Sequence, residues 1–90
     1  MYKVVFERSV DIDIAKLKKS EPPAYKKVLK LLKELYEHPK TGTGHPEQLK
    51  GNRANHWSRR ITEKHRLIYE IRDKEVIVIV ISAYGHYDDK

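Results

Sequence analysis

Apolar and polar residues alternate at the start of the chain, with Tyr2, Val4 and Phe6 set against Lys3, Val5 and Glu7. That period of two predicts a short half-buried strand. Ser9 then offers a helix cap, with Asp11 and Asp13 toward the positive end of the helix dipole and Lys16, Lys18 and Lys19 toward the negative end. Val10, Ile14 and Leu17 share one face of that helix. Ser20-Glu21-Pro22-Pro23 breaks the pattern, and proline is tolerated in the opening turn of a following helix. The second helix carries Tyr25, Val28, Leu29, Leu32, Leu35 and Tyr36 at i, i+3, i+4 spacing, with Lys26, Lys27, Lys30 and Lys33 opposite, and Pro39 ends it.

Residues 39–56 read as a Gly- and Pro-rich loop without the lysine or third glycine of a nucleotide-binding loop. Beyond it three strands are expected, over 56–62, 65–72 and 76–81, joined by turns at Glu63-Lys64 and Asp73-Lys74. The last is apolar on both faces, as in a central strand covered on each side. Strand, two helices and an antiparallel meander make an α+β domain with helices on one face of the sheet. Ninety residues suffice for a single domain, 1–90.

Composition narrows the chemistry. Without cysteine there is no disulfide, thiolate metal site or cysteine nucleophile, which suits a reducing cytoplasm. The start of the chain lacks a signal-peptide pattern, and the longest apolar run falls far short of a membrane span. A cytoplasmic protein without a membrane partner is expected. Nineteen Lys and Arg against thirteen Asp and Glu leave a net charge of +6, which favours polyanionic partners such as RNA. The lysines of the second helix are read as a solvated face. His38, His45, His56, His65 and His86 lack metal-ligand spacing, so neither metal nor other cofactor is expected.

Cutting RNA with side chains alone needs a base for the 2′-hydroxyl, an acid for the departing 5′-oxygen and cations for the phosphoryl charge. Glu47, Arg59, Arg60, Arg66, His86 and Tyr87 supply those types. Each also has a plain structural reading: Glu47 as a loop carboxylate, Arg66 as a partner of Glu70, and His86-Tyr87 as a frayed end. Arg59 and Arg60 are neighbours on a strand, so only one of them faces a given site.

Gly44-His45-Pro46-Glu47-Gln48-Leu49-Lys50-Gly51-Asn52, the block Trp57-Ser58-Arg59-Arg60-Ile61-Thr62-Glu63-Lys64-His65-Arg66-Leu67-Ile68-Tyr69 and Gly85-His86-Tyr87 together resemble the YoeB/Txe family of toxins. The resemblance implies a RelE-like fold and cleavage of mRNA on the translating 70S ribosome. It implies a YefM-like antitoxin as partner, operator DNA bound only through that antitoxin, and room for a homodimer. By position it makes Glu47 the general base, His86 the general acid and Tyr87 an orienting group. Arg66 would stabilise the phosphate, with Arg60 assisting, Lys50 as a weaker contact and Arg59 the other candidate of its pair. Rival readings are a non-catalytic ribosome- or RNA-binding inhibitor and a co-repressor acting through the antitoxin. Two departures from the family pattern, Asp88-Asp89-Lys90 after Tyr87 and Lys64 in the hairpin turn, bear on the level of activity. A two-residue turn at Glu63-Lys64 would also put Arg60 and Arg66 on opposite faces, so a shared site requires a longer turn or a bulge.

Overall fold

A computed structural model describes residues 1–51 and 55–85. The elements run β1 (Lys3–Phe6), α1 (Arg8–Ser20), α2 (Pro22–Leu35), β2 (Glu47–Gln48), β3 (His56–Arg60), β4 (Arg66–Arg72) and β5 (Ile77–Ser82). They form one five-stranded sheet in the order β1-β5-β4-β3-β2. The expected meander is present, since β3, β4 and β5 pair antiparallel in turn. The first strand extends it by lying parallel to β5, with Val4 beside Val78 and Phe6 beside Val80. A parallel neighbour demands a long crossover, and the two helices are part of it.

Both helices supply the core on one face of the sheet. Val10 and Leu17 of α1, and Ala24, Val28, Leu31 and Leu35 of α2, pack with Leu67, Tyr69, Ile71, Val78 and Val80. The first helix begins two residues earlier than expected, and Glu7 rather than Ser9 occupies the cap, its carbonyl accepting from the Val10 N–H. The buried stripe of α2 is also turned from the expected face. Leu29 and Tyr36 are 46% and 39% exposed, while Ala24 and Leu31 point inward. Apolar residues occupy more of this helix than one stripe can bury, so spacing alone selects no unique face. The exposed lysines Lys26, Lys30 and Lys33 lie on this helical layer.

The interior strand β5 is covered on one side only. Val78 and Val80 are buried, whereas Ile77, Ile79 and Ile81 are half-exposed. Its pairing with β4 slips once: Tyr69 meets Val80 but Ile68 meets Ser82, leaving Ile81 as the extra residue of a bulge. The turn before β5 spans four residues, from Asp73 to Val76, because Arg72 pairs directly with Ile77. Val76, 43% exposed, has φ of +56°, a conformation that costs a β-branched residue about 1–2 kcal/mol. Val76→Gly is therefore expected to stabilise the fold by about 0.5–1 kcal/mol, after allowance for the greater freedom of unfolded glycine. A urea melt with an unchanged or lower midpoint would refute that account.

Candidate functional site

Register decides which side chains share the sheet face turned away from the helices. The hairpin between β3 and β4 contains five residues, 61–65, rather than the expected two, so Arg60 stands directly opposite Arg66. Thr62 shapes the longer loop by accepting the N–H groups of Lys64 and His65 on its hydroxyl, both at 3.1 Å. The condition for a shared site is met by this turn. On the adjacent edge, Glu47 pairs with Ser58, two residues before Arg60. Directly opposed residues point to one side of a sheet, as do alternate residues along a strand. Glu47, Ser58, Arg60 and Arg66 therefore occupy one face. It is the helix-free one, because Leu67 and Tyr69, which alternate with Arg66, belong to the helical core.

Two opposed arginines repel, and directly opposed like charges in a sheet are destabilising until an anion lies between them. Arg60 is exposed and Arg66 half-buried. Glu47, exposed at the sheet edge, stands diagonal to Arg60, a spacing of about 7–8 Å between residues in such geometry. The register thus sets one carboxylate and two cations on the same face of neighbouring strands. Lys50 is exposed two residues past β2, where no strand pairing sets its side. His86 and Tyr87, expected as acid and orienting group, lie outside the described residues. The carbonyl of Gly85, which precedes them, accepts the Arg66 N–H at 3.0 Å. Among the described residues, no three His, Asp or Glu side chains gather as a metal site would require.

Arg59 is not available to RNA, contrary to its candidacy as a phosphate contact. Its side chain is fully buried and ion-paired to Glu34 at 2.7 Å. The guanidinium also donates to the carbonyls of His38, Thr41 at 2.7 Å and Thr43 at 3.3 Å, and its Nε donates to the Tyr69 hydroxyl at 3.0 Å. The Tyr69 hydroxyl in turn donates to the Pro39 carbonyl at 2.7 Å. Residues 38–43 are thus wrapped around one cation, and Gly42 is needed there: a Cβ would lie 2.5 Å from Glu34 Oε1. Burial pushes Glu34 up, but hydrogen bonds from the Thr43 hydroxyl and N–H, with the Arg59 guanidinium, hold it below its ordinary 4.5. Burial raises the Tyr69 hydroxyl above 10 despite Arg59.

Sequence reasoning overlooked two groups. Glu34 belongs to no motif or apolar pattern, yet it organises the loop. His65, weighed only as a metal ligand, is 4% exposed and bonded on both ring nitrogens. Its place inside the hairpin block, next to Arg66, was the available signal. Trp57 is half-buried against the core opposite Tyr69, and so is a packing residue rather than an open stacking platform.

Comparison with known proteins agrees with this architecture. Residues 6–87 match the model of the YoeB-like toxin of bacterial type II toxin–antitoxin systems. Toxin YoeB of Synechocystis is 44% identical over 66 residues, covering 69% of this chain and 74% of that protein. The structure of a YoeB/ParE toxin from Agrobacterium tumefaciens superposes with a TM-score of 0.84 at 33% identity, covering 94% and 99% of the two chains. A chain of the YoeB-YefM complex from Staphylococcus aureus gives 0.77 at 30% identity, with 97% and 99% covered. With its two helices on one face of a mixed sheet and a family match over nearly its whole length, the chain belongs to the YoeB-like toxins of type II toxin–antitoxin systems.

Proposed function

We propose that this toxin is an endoribonuclease that cuts mRNA on the translating ribosome. The observation that carries the reading is the strand register that gathers Glu47, Arg60 and Arg66 on one sheet face. Glu47 takes the proton from the 2′-hydroxyl, and the freed oxygen attacks the adjacent phosphorus. Arg66 and Arg60 hold the negative charge that grows on the non-bridging oxygens. His86 gives a proton to the departing 5′-oxygen while Tyr87 orients the nucleotide, and Lys50 supplies a weaker phosphate contact. The products are a 2′,3′-cyclic phosphate or 3′-phosphate and a 5′-hydroxyl. The side chains named complete the first step, and water opens the cyclic phosphate to the 3′-phosphate.

The basic charge balance favours such a substrate, although the α2 lysines lie on the opposite layer and do not line this face. The partner expected to silence it is a YefM-like antitoxin, a reading supported by the Staphylococcus aureus YoeB-YefM complex, and operator DNA is reached only through that antitoxin. Primer extension on a message translated in a purified system tests the reading. Discrete cuts at the ribosomal A site are expected. An intact message with translation still blocked would mean that the chain inhibits by occupancy.

A further inference from the structure

We propose that His65 is a positioning residue that clasps the backbone at Gly85 and so sets the path of the chain into His86. The inference rests on the nuclease reading above, in which His86 is the acid.

The His65 Nδ1 lies 2.8 Å from the Gly85 nitrogen, and only the amide can donate in that pair. Nδ1 is therefore the lone-pair nitrogen, and the ring proton sits on Nε2, which donates to Glu21 Oε2 at 2.7 Å. A carboxylate at the head of α2 thus fixes both the tautomer and the orientation of the ring. The next residue completes the hold, since the Arg66 N–H donates to the Gly85 carbonyl. Both peptide groups of Gly85 are gripped by two consecutive residues of β4 and its turn. Gly85 itself has φ of +80°, a conformation that favours glycine.

The preceding residues are tied as firmly. The Ala83 N–H donates to Asp13 Oδ2 of α1 at 3.0 Å. The Tyr84 ring lies 4.5 Å from that of His65, with Lys16 Nζ 5.1 Å from its centre. Strand ends ordinarily fray. Here α1, the head of α2 and the hairpin converge on three residues, of which only Ala83 fills the core. Hydrophobic packing does not account for fastening an exposed tyrosine and a glycine. Holding the last peptide before His86 accounts for it.

Two variants separate the clasp from general stability. His65→Gln keeps a donor for Glu21 but removes the acceptor at Nδ1. His65→Asn places an acceptor near Nδ1 and gives up the reach to Glu21. The full-length proteins would be assayed for cutting of ribosome-bound message, for melting temperature, and by NMR for exchange of the Gly85 amide. In the wild type that amide should be protected. In His65→Gln it should exchange faster, and cutting at saturating ribosomes should fall about 10- to 100-fold with the half-saturating concentration unchanged. His65→Asn should stay within roughly threefold of the wild-type rate, although it has lost the carboxylate bond. The proposal is overturned by an unprotected Gly85 amide in the wild type, by undiminished cutting in His65→Gln, or by equal losses in both variants. A wild type that leaves every message intact removes the nuclease reading and the positioning role together, while protection at Gly85 would still show that the failure lay in the chemistry assigned, not in the clasp.

Discussion

Arg59→Met is expected to destabilise the fold by about 3–5 kcal/mol, the range for removing one partner of a buried ion pair. Methionine fills similar space but leaves Glu34, the Thr41 and Thr43 carbonyls and the Tyr69 hydroxyl without their common partner. A domain stable by only about 5–15 kcal/mol in all would be brought near the threshold of unfolding. Adding Glu34→Gln should recover part of the loss, because it removes the stranded charge. The acid limb gives a second signature. Glu34 is held below its unfolded value, so its contribution is complete above about pH 4.5 and disappears as pH falls through the folded value. The wild type should lose stability over that window, and Arg59→Met should show a flatter dependence there. Urea melts at pH 7 and across the acid range measure both. A variant as stable as the wild type would mean that the loop is held by other contacts.

Arg66→Ala is expected to do the reverse, lowering cutting of ribosome-bound mRNA by about 10²–10³ while the melting temperature holds or rises. The rate loss is that of deleting one preorganised donor to a developing oxyanion. The stability gain follows from relieving the repulsion of Arg60, its directly opposed neighbour. Glu47→Ala should match or exceed the rate loss, by about 10²–10⁴ for a general base, with no large effect on a fold in which Glu47 is exposed. Single-turnover cutting rates paired with thermal melts decide the matter. Full cutting by Arg66→Ala would remove this arginine from the site, and a collapsed fold would make it structural like Arg59.

Much of the fold was legible because its periodicities are strong. The two-residue alternation marked β1 and β4, and the prolines at 22 and 23 placed the head of α2. The parallel seat of β1 was not legible, since nothing local says which strand a partner joins. The inward stripe of α2 was misjudged because leucine and tyrosine cover too much of the helix to single out one face. Glu47 and Arg66 could be named from residue type and family likeness, but their common face depended on the length of one turn, and five residues rather than two decided it. The adjacent arginines show the limit most clearly. Strand alternation required Arg59 and Arg60 to part company, yet which one turned inward depended on a carboxylate 25 residues upstream, Glu34, and on carbonyls of a loop with no pattern of its own.

The extra residue at Ile81 bears on how such toxins are sought in genomes. A bulge lets a strand carry one more residue than its partner while both resume the same pairing. Beyond it, Ser82 still meets Ile68, Ala83 still turns inward and Gly85 still reaches Arg66. A homologue shorter by one residue here can keep those contacts with an unbroken ladder. The distance in sequence from the hairpin arginine to the Gly-His-Tyr motif is therefore an elastic ruler, and a search pattern of fixed spacing would discard proteins whose geometry is the same.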